Sequence, residues 1–219
     1  MARNRIIPLF IPHAGCPCAC VFCDQKKITG MDTPVTPDDV AREIEEALPW
    51  AGEGCQLAFY GGSFTAMKPE TQETLLGAAK PYLRDGRLES IRLSTRPDAV
   101  DPETVARLKA YGVTTVELGC QSMDNWVLRL SGRGHTREDT IRASTLLYQG
   151  GLDQVLQMMT GLPGDDGEAS IATDRIKAPG RADLSHGGAE KYRIAPDDAP
   201  GRLSTPECRI GGGALRRAV

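Results

Sequence analysis

The sequence has no excess of basic charge and no long apolar run. Its 219 residues contain 26 Lys and Arg against 29 Asp and Glu, which gives a formal net charge of −3 at pH 7. Charge therefore does not indicate a nucleic-acid surface, although it does not exclude RNA binding. Every apolar run is far too short to span a bilayer, so we expect no membrane partner.

We do not expect the N-terminal run to be a secretory signal peptide. The basic residues before Ile6 lead into an apolar run that Pro8 and Pro12 interrupt, whereas a signal peptide needs a longer apolar core and a small-residue cleavage site. We interpret residues 6–11 as the first strand and predict a cytoplasmic protein. The chain is long enough for one sizeable domain with a buried core.

A disulfide framework is not indicated either. The chain has seven cysteines, and four of them lie between Cys16 and Cys23. Such crowding suits a metal site better than disulfides, which spread their cysteines to join distant segments. We therefore expect a reducing compartment.

Short β-type runs alternate with helical patterns through most of the chain. Thr36, Asp101 and Thr136 are predicted N-caps, each followed by Pro or acidic residues, and Gly112 and Gly150 are predicted to end the later two helices. The strand-like runs are residues 6–11, 56–60, 90–94, 114–118 and 154–159. This alternation predicts an α/β fold, a partial (β/α) barrel of about five βα units.

Polar residues share one face of the later strands. Period-two alternation groups Arg92, Ser94 and Arg96, then Glu117, Gly119 and Gln121, and finally Gln157. Strands covered by helices are usually apolar on both faces. We interpret the row as a lumen built for a polar ligand; the alternative is a solvent-exposed face.

The last quarter of the sequence has a different pattern. A weak helical period at 168–176 is followed by a stretch, 178–219, with seven glycines, four prolines and few strong aliphatic residues. We predict an incomplete core over residues 1–177 and a low-order C-terminal tail over residues 178–219.

The loop after the first strand contains Cys16, Cys20 and Cys23 in C-x3-C-x2-C spacing. One compact loop can present these thiolates to an iron–sulfur cluster, and three ligands leave one iron of a four-iron cube open. Alternatives are a zinc site with His13 as the fourth ligand, a fourth cluster ligand from Cys18, and inert core cysteines.

The sequence resembles the radical S-adenosylmethionine superfamily, from the first strand to Gly164. The resemblance lies in the cysteine spacing with Phe22 before the third cysteine, and in motifs at 59–65, 93–98, 117–122, 130–136 and 157–164. The pattern is most similar to elongator-type radical proteins and more distantly to oxygen-independent coproporphyrinogen oxidase.

The resemblance implies a 4Fe–4S cluster on Cys16, Cys20 and Cys23, with S-adenosylmethionine as cofactor. The implied cofactor contacts are Gly61, Gly62, Ser63, Ser94, Gln121, Arg133, Gln157 and Gly161, with no separate catalytic residue. In this family the reduced cluster cleaves the cofactor, and the resulting 5′-deoxyadenosyl radical abstracts hydrogen from a substrate.

The chain departs from its relatives in three respects. Cys18 stands where relatives usually have histidine or another polar residue, and we expect it not to bind iron. The elongator subunits space their first two cysteines more widely and add an acetyltransferase domain; these 219 residues show neither feature, so we do not expect their acetyl transfer here. The core looks truncated at its C-terminal side.

Three function classes follow from the sequence. The first is a radical enzyme acting on RNA or a small metabolite, with an electron donor such as flavodoxin or ferredoxin. The second is an iron–sulfur protein, or a truncated relic, without turnover. The third is a structural zinc protein. His135 is either a ligand or proton carrier, or a structural residue beside the Thr136 cap.

Overall fold

A parallel sheet forms the centre of the molecule. The computed structural model describes residues 5–11, 14–17, 20–23, 33–166 and 182–188. In these ranges six strands pair in the order β1-β2-β3-β4-β5-β6, every neighbouring pair parallel. They are β1 (Ile6–Phe10), β2 (Cys55–Tyr60), β3 (Leu88–Thr95), β4 (Val113–Gln121), β5 (Asp153–Thr160) and β6 (Ala182–Gly188). The predicted α/β class and all the predicted strands are confirmed.

Helices connect the strands. In the described part of the chain they are α1 (Pro37–Ala51), α2 (Pro69–Arg84), α3 (Pro102–Ala110), α4 (Asn125–Leu130) and α5 (Arg137–Gln149), with 3₁₀ turns at Phe64–Ala66 and Pro97–Ala99. No described helix is long and apolar enough to cross a membrane.

The predicted helix caps are confirmed. The side chains of Thr36, Asp101 and Thr136 each accept a hydrogen bond from a backbone N–H in the first turn of α1, α3 and α5. Such a bond satisfies an N–H that has no partner within the helix. Gly150 caps α5 as predicted, and α3 ends just before Gly112, whose φ is +84°.

The strands bury one face against the helices and carry polar groups on the other. Leu57, Leu93 and Leu118 are fully buried and belong to one apolar cluster with residues of the helices. Burying each such side chain contributes about 1.5–3 kcal/mol. The opposite face of β3, β4 and β5 carries the polar row, so the predicted alternation is confirmed.

Strand β6 lies inside the predicted low-order tail, where the sequence pattern indicated no strand. It pairs in register with β5 from Gln154 opposite Ala182 to Thr160 opposite Gly188. Its sequence, with one strong aliphatic residue and two glycines, gives no β signal, and its pairing is through the backbone. Residues 167–181 and 189–219 lie outside the described residues, so the boundary at 177/178 stays a prediction.

Candidate functional site

A cavity of about 560 Å³ opens at the carboxyl ends of the strands. In parallel α/β folds this edge gathers the loops that bind ligands. All the predicted site residues except Gly161 line the cavity: Cys16, Cys20, Cys23, Gly61, Gly62, Ser63, Ser94, Gln121, Arg133 and Gln157. Residues from the cysteine loop and from five further sequence motifs therefore meet at one place.

Gly161 follows β5 and lies outside this lining. Its φ is +73°, and its backbone N–H donates a 2.9 Å hydrogen bond to Asp165 Oδ2. In this structure Gly161 turns the chain at the end of β5, and its predicted cofactor contact stays a prediction.

The cysteine loop is held against the turn that follows β2. Cys16 Sγ lies 3.4 Å from Ser63 Oγ, and the backbone N–H of Ser63 donates to Ala14 O over 2.8 Å. A Cβ on Gly15 would lie 2.2 Å from Ser63 O, and its φ is +72°. The two segments therefore approach each other as closely as they do because Gly15 has no side chain.

The second part of the loop turns at Cys20. The backbone N–H of Cys23 donates to Cys20 O over 3.0 Å, and that of Val21 donates to Ser131 O over 3.1 Å. Cys20 is buried, whereas Cys16 and Cys23 are partly exposed on the cavity wall. The three cysteines therefore differ in exposure but line the same cavity.

Cys16, Cys20 and Cys23 all line this cavity, and each could be a ligand of a metal cluster. Among the residues that the structure describes, no group of three His, Cys, Asp or Glu side chains could hold one metal ion together. An iron–sulfur cube bonds each cysteine to a different iron, so its ligands need not converge on one point. The zinc alternative needs His13, which, like Cys18, lies outside the described residues.

Arg133 joins the cysteine loop to strand β4. Its Nη1 donates to Cys20 Sγ over 3.5 Å and its Nη2 to Gly119 O over 2.8 Å. The third nitrogen, Nε, is buried and has no hydrogen-bond partner in the described structure. A buried guanidinium N–H without an acceptor suits a site that takes an anionic group such as a carboxylate.

Arg96 holds the backbone of Arg133 in place. It is only 2% exposed, forms an ion pair with Asp98, and donates from Nη2 to the carbonyl oxygen of Arg133 over 3.0 Å. Two cationic side chains therefore lie beside the cavity, and one of them fixes the backbone of the other.

Glu117 lies under the cavity and is 7% exposed. It accepts hydrogen bonds from Tyr60 Oη at 2.8 Å, Gln157 Nε2 at 2.6 Å and Ser94 Oγ at 3.5 Å. Arg92 Nε lies 3.1 Å from Glu117 Oε1 as an ion pair. Burial, reinforced by the hydrogen bond to Glu117, raises the pKa of Tyr60 to about 12, so its hydroxyl keeps its proton at neutral pH.

The end of β4 is shaped by two unusual positions. Gln121 has a φ of +62°, in the left-handed region that non-glycine residues rarely adopt. A Cβ on Gly119 would lie 2.6 Å from Arg133 Nη2 and 2.9 Å from Gln121 Nε2. Glycine at 119 therefore admits both side chains to the cavity.

His135 and Cys120 are buried structural groups. Burial, with the positive charge of Arg133 and Arg96, lowers the pKa of His135 to about 3. The neutral ring lies 3.2 Å from Cys120 O through Nε2, which must carry the proton because a carbonyl only accepts. Burial raises the pKa of Cys120 to about 12, and its thiol donates to Gln157 O. The structural interpretation of His135 is thus favoured.

The motifs alone assigned no role to several residues at the site. Tyr60, Thr95, Arg96 and Gly119 also line the cavity, and Glu117 lies below it. Period-two alternation indicated the polar face for Arg96, Gly119 and Glu117, but only the pairing of the strands brings Tyr60 to Glu117.

Comparison with known proteins agrees with this geometry. The Radical SAM superfamily model matches residues 10–173. The tRNA uridine(34) acetyltransferase of Methanocaldococcus infernus is 31% identical over 137 residues, which are 55% of this chain and 25% of that protein. The oxygen-independent coproporphyrinogen-III oxidase-like protein HemZ of Bacillus subtilis is 31% identical over 172 residues, which are 73% of this chain and 34% of that protein.

The solved structures agree as well. Coproporphyrinogen III oxidase (HemN) from Escherichia coli, a radical SAM enzyme, has a TM-score of 0.63 at 21% identity, covering 85% of this chain and 44% of that chain. The chain spans a quarter or less of the length of the first curated relatives that it matches.

Proposed function

Because this chain belongs to the Radical SAM superfamily, we propose that it holds a 4Fe–4S cluster on Cys16, Cys20 and Cys23 and binds S-adenosylmethionine for radical chemistry. One observation carries the proposal: the three cysteines and all the predicted cofactor contacts except Gly161 line the same cavity. The cluster and cofactor together supply reductive cleavage of the sulfonium and hydrogen abstraction from a substrate.

The residues of this chain bind and orient the cofactor. Arg133 offers its guanidinium, with Nε still lacking an acceptor, to the carboxylate of the methionine moiety. The turn Gly61-Gly62-Ser63 offers backbone groups to the amino end, because glycine lets a ligand approach closely. Ser94, Gln121 and Gln157 lie along the ribose side, and Gly161 is assigned to the same region by resemblance.

The neutral groups around the cavity keep their protons. Tyr60 stays a phenol and His135 stays an uncharged imidazole near neutral pH. Neither group is therefore assigned a proton-transfer role, and the chemistry is left to the cofactor, with the protein providing binding and exclusion of water.

The substrate class is proposed only in outline. The relative from Methanocaldococcus infernus is named for tRNA, so RNA is one substrate class, and a small metabolite is the other. Reduction of the cluster needs an electron donor such as flavodoxin or ferredoxin, which points to the cytoplasm. Acetyl transfer is not proposed for this chain.

The test is anaerobic reconstitution with iron and sulfide, followed by dithionite and S-adenosylmethionine, with 5′-deoxyadenosine quantified. Production of 5′-deoxyadenosine supports the proposal. A cluster that forms without cleaving the cofactor identifies an iron–sulfur protein without turnover. Failure to form any cluster, together with stoichiometric zinc binding, contradicts the proposal and favours the zinc alternative.

A further inference from the structure

Glu117 contacts three polar side chains that line the cavity, one each from β2, β3 and β5, and is not itself part of the lining. The floor is formed by Tyr60, Ser94 and Gln157, and all three donate to the Glu117 carboxylate. A carboxylate has only acceptor sites, about four of them. Arg92 Nε lies 3.1 Å from Glu117 Oε1 as an ion pair, without forming a hydrogen bond to it.

Because an ionised carboxylate can only accept, the direction of each of these three hydrogen bonds is fixed. The hydroxyl protons of Tyr60 and Ser94 point down to Glu117, so toward the cavity these oxygens can only accept. The Gln157 amide must direct one N–H to the carboxylate, which leaves its oxygen and its second N–H for other partners. The floor therefore offers the cavity acceptors in preference to donors.

The charges around the floor further restrict the kind of ligand group that it can bind. The negative charge of Glu117 is matched by Arg92, whose side chain is likewise largely buried. Arg96 and Arg133 add positive charge to the cavity wall, which disfavours a cationic donor. The group that suits this floor is a neutral hydrogen-bond donor, a hydroxyl.

We propose that Glu117 is a positioning residue that makes the cavity floor a hydrogen-bond acceptor for a hydroxyl of the bound nucleoside cofactor. This inference rests on the proposed function, in which S-adenosylmethionine occupies the cavity. Glu117 acts through Tyr60, Ser94 and Gln157 and does not itself touch the cofactor.

Glu117→Gln tests directly whether Glu117 makes the floor a hydrogen-bond acceptor. The glutamine amide has the same shape but brings two N–H donors. A hydroxyl facing this N–H must rotate to accept, and its own proton then turns toward the cavity. The floor would meet a ligand hydroxyl with a donor in place of an acceptor.

The measurement is calorimetric binding of S-adenosylhomocysteine and its 2′-deoxy and 3′-deoxy analogues to the anaerobically reconstituted protein. In the wild type, loss of the hydroxyl that contacts the floor should weaken binding about 3- to 10-fold. Glu117→Gln should weaken the binding of S-adenosylhomocysteine by a similar factor. It should not further weaken the binding of the deoxy analogue that lacks the contacting hydroxyl, because the substitution and the missing hydroxyl remove the same interaction.

Two controls keep the result interpretable. Glu117→Gln leaves Arg92 buried without its partner, which is destabilising, so the Arg92→Gln/Glu117→Gln double variant is measured beside it and should show the same loss of hydroxyl discrimination. Glu46→Gln, on the exposed face of α1, should bind all three ligands as the wild type does.

The inference is overturned if the loss of binding free energy caused by Glu117→Gln and the loss caused by removing the ligand hydroxyl add when both changes are combined. It is also overturned if the wild type binds both deoxy analogues as tightly as S-adenosylhomocysteine, or if Glu117→Gln binds all three ligands like the wild type. Failure of the wild type to bind S-adenosylhomocysteine at all would contradict the proposed function as well.

Discussion

Arg133 Nη1 lies 3.5 Å from Cys20 Sγ, although 113 residues separate them in the sequence. The contact exists because Arg133 follows α4 and the cysteine loop follows β1, and both reach the same end of the parallel sheet. One guanidinium therefore borders a proposed cluster ligand and still has a buried N–H to offer an anionic ligand.

The first prediction concerns that guanidinium. Arg133→Lys keeps the charge but loses the planar fork that can bond two acceptors at once. We expect affinity for S-adenosylhomocysteine to fall about 10-fold or more, since hydrogen bonds of charged groups contribute about 1.5–3 kcal/mol. Calorimetry on reconstituted protein measures this, with exposed Arg137→Lys as the matched control. Equal affinities for the wild type and Arg133→Lys would rule out the carboxylate role.

The second prediction separates the cysteines. Cys20→Ala should abolish the cluster, because two remaining thiolates cannot hold it. Cys18→Ala should leave the iron content unchanged, since we expect Cys18 not to be a ligand. Iron and sulfide analysis after anaerobic reconstitution measures both variants. Full iron content in Cys20→Ala, or loss of iron in Cys18→Ala, would contradict the assigned ligand set.

Much of the fold could be predicted because its signals are local. The caps at Thr36 and Thr136 are recognisable because a capping residue and its acidic partner are three positions apart. Strand β6 lacked such a signal: it is defined by backbone pairing to β5, and pairing between distant segments is not written in either segment alone.

Some residues of the site could likewise be predicted from the sequence, whereas others could not. Cys16 and Cys20 belong to one contiguous motif and Arg133 to another, and the resemblance to the radical S-adenosylmethionine superfamily predicted that they share one site. Glu117 is one acidic residue on a strand, and Tyr60 lies 57 positions away. Their contact depends on how β2, β3 and β4 align side by side, so the acceptor floor could be seen only in the structure.

The third prediction is a pH dependence caused by His135. Its pKa is about 3 in the folded protein against about 6.5 when unfolded. The unfolded chain therefore takes up a proton below pH 6.5, where the folded one does not. The contribution of neutral His135 to the free energy of unfolding is fully present above pH 6.5. As the pH falls from 6.5 toward 3, this contribution decreases by up to about 1.4 kcal/mol per pH unit.

His135→Gln should reduce this acid sensitivity, because glutamine can still donate to Cys120 O but does not titrate. Apparent melting temperatures of both proteins at pH 7 and pH 5 provide the measurement, with equal cluster content verified by absorbance. The carboxylates with lowered pKa, such as Asp39 at about 2, contribute mainly below this window. If the melting temperature decreased equally from pH 7 to pH 5 in the wild type and in His135→Gln, His135 would not be the group responsible for the acid sensitivity.

The last prediction concerns the contact between the cysteine loop and the glycine turn. A Cβ on Gly62 would lie 2.6 Å from Ala14 O and 2.7 Å from Ile11 O, both backbone atoms that cannot swing aside. Gly62→Ala must therefore move the loop that begins the cysteine motif. We expect a loss of about 1–3 kcal/mol in stability together with reduced cluster retention.

Gly77→Ala is the matched control, because its Cβ would point into open space on α2, with Tyr111 Cε1 the nearest atom at 4.0 Å. Alanine at an unhindered helical position stabilises by about 0.5–1 kcal/mol. Thermal melting and iron content of both variants form one experiment. If Gly62→Ala keeps its cluster and has the same melting temperature as Gly77→Ala, the close approach at Gly62 does not hold the cysteines, and their positions depend on other contacts such as that of Arg133 with Cys20.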